Sequence, residues 1–425
     1  MKIAQKIKHF ILDPSGKRKA LLDNSKVFCM APWIQLHAQT NGKVAPCCMS
    51  SIKNGNEIGD LNINPSLLES WNSENMKKLR LDMLSGVKNS ICDNCYDYEK
   101  LGRSTERHYY NRDFQNYFSR VKDTNSDGAV NNNTVPIIDI RFSNKCNYKC
   151  RICNSDYSTL WYDEEIKLGK SVNPLSKEIK VAANEIKFWE SFKALLPTVK
   201  RLHFAGGEPL FMDEHYATLE HLIAIGNRDV NLTYNTNFST LRYKRNNVAD
   251  LWKNFGQVDI WASLDGMGPQ GDYQRKGQKW ETIEENIRTI QQECENVVFG
   301  VNVTVSIFNI MHIPDFFKYL VEQKLVKPER VNLYPLMYPQ HFCVDNLLPE
   351  LKVQATELHR NFEKNYLQNN SKYENIANHY NAIITLMNAN DRQAKLAFKQ
   401  AIESVDTIRE EDFKTTFPEL KSMLE

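Results

Sequence analysis

Cys146-Asn-Tyr-Lys-Cys150-Arg-Ile-Cys153, set just after the apolar run Pro136 to Phe142 and followed later by Phe204-Ala-Gly-Gly-Glu-Pro-Leu210, decides how this chain is read. Three thiolates can hold a cubic iron-sulfur cluster and leave one iron open. A cluster that only carries electrons usually has four cysteine ligands, so a missing fourth ligand points to a small molecule bound at the open iron. Spacings of three and two residues let one loop wrap round such a cluster. Taken alone, the same cysteines would also suit a zinc knuckle short of one ligand, or buried thiols.

Outward from this loop, short β-rich segments alternate with amphipathic ones. Pro136 to Phe142, Val199 to Phe204, Val230 to Tyr234, Val258 to Leu264, Val297 to Val305 and Arg330 to Tyr334 are expected strands. Between them, Glu214 to Ile225, Trp280 to Cys294 and Ile313 to Gln323 place apolar residues at helical spacing, as Ile283, Ile287 and Ile290 illustrate. Such alternation implies parallel strands joined by crossover helices. The chemistry-bearing residues then fall at the carboxyl ends of the strands: the three cysteines after the first, Gly206, Gly207 and Glu208 after the second, Asn235, Thr236 and Asn237 at the third, and Ser263, Asp265 and Gly266 at the fourth.

The two opening motifs, in this order on strand ends, resemble the radical S-adenosylmethionine (SAM) enzymes. The resemblance implies an α/β fold, a partial (β/α)6 barrel. It also implies a 4Fe-4S cluster on Cys146, Cys150 and Cys153 that reductively cleaves SAM to a 5′-deoxyadenosyl radical. In that family the Gly-Gly-Glu turn lies against the methionine amino group, so Gly206, Gly207 and Glu208 are expected there, the glycines for close backbone approach and the carboxylate as an acceptor. Asn237, Ser263, Arg275, Asn302 and Leu333, with Tyr334 beside it, are expected round the rest of the cofactor, Arg275 on a carboxylate because its fork donates two parallel bonds. Arg275 equally suits a surface salt bridge, and Asp265 lines the mouth without an assigned role. Ile152 stands where relatives often have an aromatic residue; its loss of ring stacking amounts to about 1 kcal/mol. His203 and His215 lie near the mouth but read as hydrogen-bonded structural residues.

A second cysteine set precedes the barrel. In Cys29-Met-Ala-Pro-Trp-Ile-Gln-Leu-His-Ala-Gln-Thr-Asn-Gly-Lys-Val-Ala-Pro-Cys47-Cys48, Ile34, Leu36 and Ala38 alternate with polar residues before Asn41-Gly42, a hairpin signal that brings Cys29 and Cys47 together. Cys92-Asp-Asn-Cys95 adds a two-ligand chelate, and Ser66 to Trp71 and Ser73 to Leu84 read as short capped helices that return the chain to the hairpin. Cys29, Cys47, Cys92 and Cys95, with Cys48 as an alternative, suit a 4Fe-4S cluster or a zinc ion equally on spacing. The pattern resembles the auxiliary-cluster module SPASM in its shortened, single-cluster twitch form, which favours iron; in most relatives the module follows the barrel. SPASM modules mostly accompany peptide maturation, so a peptide or protein substrate is expected, with a small metabolite as the alternative. A non-catalytic iron-sulfur or zinc-binding protein is the reading from another class. Reduction requires a flavodoxin- or ferredoxin-like donor.

Composition frames these readings. With Lys+Arg 54 against Asp+Glu 52 in 425 residues, the net charge of +2 gives no general reason to expect nucleic acid or membrane as partner. The start, Met1 to Leu12, interleaves charge with apolar residues and lacks a secretory pattern. No apolar run reaches the length of a membrane span, so a cytoplasmic location is expected. There, clustered cysteines are metal ligands rather than disulfides, and Cys294 and Cys343 are structural. The expected organisation is a cysteine-rich hairpin/helix module over 1–120, a polar linker over 121–135, the barrel over 136–340 and a helical C-terminal extension over 341–425, with helices at Glu350 to Leu367, Tyr373 to Ala389 and Ala394 to Glu403.

Overall fold

The computed structural model describes residues 16–100, 104–174, 176–368, 371–389 and 394–425. The charge-interleaved start, Met1 to Leu12, lies outside them. The chain is an α/β protein of the partial-barrel kind, and it divides into two compact units. Of the described residues, those within 16–142, 180–203 and 221–230 form one, and those within 143–179, 204–220 and 231–425 form the other.

In the first unit, strands β1 (Gln35–Ala38) and β2 (Lys43–Ala45) form the expected antiparallel hairpin, with His37 opposite Ala45. Strand β3 (Gly59–Asp60) pairs antiparallel with β2. On its other side β1 lies parallel to β4 (Ile137–Ile140), Gln35 to Ala38 in register with Ile137 to Ile140. All of β1 and β4 is buried. The helix Glu74–Leu84 begins as expected at Ser73, whose side chain accepts from the Met76 N–H. Ser66 caps nothing with its side chain, and the segment after it is a 3-10 turn, Leu67–Asn72.

The 121–135 segment is packed rather than a free linker. Val121, Val130 and Val135 are buried, Trp71 Nε1 donates to the Asn132 carbonyl at 3.1 Å, and the Asn72 amide exchanges hydrogen bonds with the Val130 backbone. Its turn formers expose carbonyls inward, where they satisfy buried donors. Arg80, fully buried, donates from Nε to Pro32, from Nη1 to Asn72 Oδ1 and the Gly128 carbonyl, and from Nη2 to the Trp71 carbonyl, with its guanidinium 4.8 Å from the Trp71 ring.

Strand β6 (Arg201–Phe204) carries the chain from one unit to the other, after the two-residue β5 (Lys149–Cys150). The second unit holds the parallel ladder β7 (Asn231–Thr236), β10 (Gln257–Ser263), β12 (Val297–Val305) and β13 (Val331–Pro335). Two short antiparallel pairs accompany it. They are β8 (Arg242–Tyr243) with β9 (Asn246–Asn247), and β11 (Arg275–Lys276) with β5.

All six strands expected for the barrel are present, and helices Asp213–Ala224, Trp280–Glu293 and Ile313–Glu322 lie where periodicity places them. The ladder has two unlike faces. Leu232, Tyr234, Val258, Ile260, Ala262, Val301, Val303 and Leu333 are buried, whereas Asn235, Ser263, Asn302 and Asn332 on the alternate positions are half-exposed. The C-terminal extension is helical, at Pro349–Phe362, Glu374–Ala389 and Lys395–Arg409. Among the described residues, no helix is long and apolar enough to cross a membrane.

Arg80→Ala strands the carbonyls of Pro32, Trp71 and Gly128 in a dry interior, while Asn72 Oδ1 keeps the Val130 N–H. The expected loss of stability is at least about 3 kcal/mol, read as a lower denaturant midpoint with unchanged slope.

Candidate functional site

The loop after β4 and the turn after β6 are stitched by backbone. The Gly207 N–H donates to Ser143 O at 3.1 Å and the Glu208 N–H to Lys145 O at 2.8 Å. A Cβ at Gly207 would stand 2.1 Å from the Lys145 oxygen, so only glycine permits this approach. Gly206 has φ 117°, a left-handed conformation that glycine alone adopts without strain. Asn144, fully buried, anchors the cysteine loop from within. Its amide donates to the carbonyls of Ser155 and Lys177, and its Oδ1 accepts from the Ile179 N–H.

Cys146, Cys150 and Cys153 lie on this loop, near enough for the charge of one to act on another. Burial is the main cause that pushes all three thiols up, Cys153 to about 12, and the charge of a neighbouring cysteine adds to the rise at Cys146 and Cys153. Donors already face two of the sulfurs, the Tyr148 N–H at 3.4 Å from Cys146 Sγ and Arg275 Nη1 at 3.8 Å from Cys150 Sγ. Arg275 is buried, not a surface ion pair, and its Nε donates to Asp265 Oδ2 at 2.8 Å. Asp265 in turn accepts from the Thr304 N–H and so ties β12 to the site.

The Glu208 carboxylate points inward. It accepts from Thr236 Oγ1 at 2.6 Å, the Asn237 N–H at 2.6 Å and the Leu210 N–H at 3.0 Å, and it is 1 % exposed. Asn237 donates its amide to Asn147 Oδ1 in the cysteine loop. Ser263 and Asn302 sit side by side in register, and Asn302 accepts from Asn332 at 3.1 Å. Leu333 is in register with Val303 on the opposite, buried face, while its N–H donates to His379 Nδ1. His215 is structural, bonded to the Tyr234 hydroxyl at 2.9 Å and pushed down to about 3 by burial.

Cys29, Cys47, Cys92 and Cys95 line one cavity with Pro46, Met83, Arg107 and Tyr110. Cys48 is exposed and absent from that lining. Arg107, held by Glu99 and by the carbonyls of Ser25 and Phe28, places a cation beside Cys29.

Sequence reading missed the supports: Asn144, Asn147, Trp161, whose Nε1 donates to the Cys150 carbonyl, and Arg151. Arg151 lies inside the cysteine motif and was legible as a charge that needs a partner. That partner lies far along the chain, in Asp406 and Glu411.

Burial pushes the Glu208 carboxyl up to about 7, against the three hydrogen bonds that favour its ionised form. The folded state therefore holds a proton that the unfolded chain has released, and this contribution is lost as pH rises through about 7. Between pH 5 and 7 wild type is expected to lose on the order of 1.4 kcal/mol per pH unit relative to Glu208→Gln. Denaturant titrations of the two apoproteins at several pH values measure the difference in slope.

Residues 140–320 match the family model of the radical SAM superfamily, and residues 29–96 match that of SPASM, an iron-sulfur cluster-binding domain. No curated protein matches the chain. Among solved structures it is similar to native anSMEcpe with bound AdoMet and Cp18Cys peptide, at 15 % identity over 54 % of this chain and 60 % of that one, TM-score 0.37. It is also similar to SuiB of Streptococcus suis bound to S-adenosylmethionine, at 13 % identity over 68 % of this chain and 63 % of that one, TM-score 0.36. The chain thus spans less than two thirds of either structure's length. With both motifs in place, residues 140–320 carry a radical SAM domain, and residues 29–96, ahead of it in the chain, carry a SPASM-type iron-sulfur domain.

Proposed function

We propose that the chain binds a 4Fe-4S cluster through Cys146, Cys150 and Cys153 with SAM at its open iron, holds a second 4Fe-4S cluster through Cys29, Cys47, Cys92 and Cys95, and modifies a side chain of a peptide or protein. The observation that carries the first part is the three-thiol loop sewn to Gly207 and Glu208 by two backbone hydrogen bonds. When bound, the reduced cluster supplies one electron to the SAM sulfonium and so yields a 5′-deoxyadenosyl radical that takes a substrate hydrogen.

The protein's part is to orient and exclude. Gly206 and Gly207 offer backbone to the methionine moiety. Glu208, engaged by Thr236 and two amides, holds that turn in shape rather than meeting the ammonium with its carboxylate. Asn237, Ser263 and Asn302 suit the nucleoside, with Asn332 taking the place in the polar row that the Leu333 side chain does not occupy. Arg275 directs its fork at Cys150 and Asp265, so its charge acts at the cluster.

The SPASM match over these residues favours an iron-sulfur cluster over one zinc ion. Peptide is the favoured substrate because SPASM modules mostly accompany peptide maturation, and residues 29–96 match that domain. A second cluster would accept the electron left after hydrogen abstraction or anchor the substrate. A flavodoxin- or ferredoxin-like donor would complete the electron supply.

Anoxic reconstitution with iron and sulfide, followed by dithionite and SAM, is expected to yield 5′-deoxyadenosine. Cys150→Ala should abolish it and Cys92→Ala should retain it. Sustained product from the Cys150→Ala protein would defeat the ligand assignment.

A further inference from the structure

The residue after the second cysteine of the loop, Arg151, is buried and reaches the far end of the chain. Its Nη2 donates to Asp406 Oδ1 and, at 2.5 Å, to Glu411 Oε2, and its guanidinium lies 3.5 Å from the Tyr273 ring centroid. Tyr273 closes the knot by donating its hydroxyl to Asp406 at 2.8 Å. The helix Lys395–Arg409 ends here: Glu410 turns left-handed with φ 55°, which brings Glu411 round to Arg151 and to Lys276, 2.8 Å away.

Arg409, the last residue of that helix, makes a parallel connection. Its Nε and Nη2 donate to Glu164 Oε2 at 3.0 and 2.8 Å, and Glu164 also binds Lys149, the residue before Cys150. The Arg409 guanidinium lies 4.6 Å from the ring of Trp161, the side chain that donates to the Cys150 carbonyl. The Arg151 and Arg409 side chains are each 1 % exposed, and their Nη1 atoms are buried with no hydrogen-bond partner among the described residues. The Arg409 charge is felt at the Cys150 sulfur.

A network this dry is costly to assemble for stability alone, since burying charges offsets most of their attraction. It grips the segment that carries Cys150, through Lys149, the Cys150 carbonyl and Arg151. Cluster potentials respond to net nearby charge, to hydrogen bonds at sulfur and to solvent access.

We propose that the C-terminal arm, Lys395 to Glu411, is a positioning element of the SAM-cluster loop that also sets the potential of that cluster, with Arg409, Asp406 and Glu411 as its positioning residues. This rests on the reading of Cys146, Cys150 and Cys153 given above. A cation near the cluster favours its more negative, reduced form, and a carboxylate opposes it. Removing one or the other therefore moves the potential in opposite directions, a signature that simple loosening of the loop does not produce.

The test is a potentiometric titration of the full-length, anoxically reconstituted protein, followed by the electron paramagnetic resonance signal that changes when SAM is added. Relative to wild type, Arg409→Gln is expected to titrate at lower potential, the near-isosteric Asp406→Asn and Glu411→Gln at higher potential, and Arg409→Lys close to wild type. Circular dichroism confirms the fold of each variant, and Glu411→Gln carries the test if Arg409→Gln does not fold. Coincident potentials, or shifts of one sign in all variants, would overturn the inference while leaving the cluster assignment intact. A wild-type protein with no SAM-sensitive signal would overturn both.

Discussion

The site depends on a single close approach of backbone to backbone. Gly207 lies so near the cysteine loop that any side chain there would collide with the Lys145 carbonyl, and the two hydrogen bonds across that contact fix where the loop begins. From it the rest follows in sequence. Cys146 takes its place one residue beyond Lys145, and Glu208 turns inward to gather Thr236 and Asn237. Asn237 then reaches back to Asn147 in the cysteine loop. A closed circuit of short polar contacts thus joins the ends of successive barrel strands, with the thiols on its open side.

The first unit is held together by a different device. Its hairpin presents β1 as a parallel neighbour to β4, in register over four residues. Within that unit the 121–135 segment packs against Arg80 and Trp71. His37 on β1 and Asp139 on β4 face each other at 2.9 Å within this seam, both buried, so the pairing is held by a polar contact as well as by the ladder.

Much of this was legible in the sequence because it is local. The strands announce themselves by alternation, the cysteine loop by its spacing, and the hairpin by Asn41-Gly42. The helix at Glu74 is announced by the Ser73 cap that the structure bears out. What stayed hidden is contact at long range. Nothing in the neighbourhood of Arg151 names Asp406 and Glu411, and nothing near Glu208 says that its carboxylate accepts from Thr236 and the Asn237 N–H. Register was equally invisible: that Leu333 stands opposite Val303 on the buried face, while Asn332 joins Asn302, emerges only when the strands are paired. The polar 121–135 stretch misleads for a related reason, since turn formers look alike whether their carbonyls face water or a buried arginine.

The central claim is a vacant coordination position above Cys146, Cys150 and Cys153 that SAM fills. Electron-nuclear double resonance on the reduced, reconstituted protein with SAM isotopically labelled at its amino nitrogen and carboxylate tests this most directly. The account predicts hyperfine coupling of both labels to the cluster, through direct bonds to one iron. A reduced cluster whose spectrum shows neither coupling, with SAM present in excess, would contradict it.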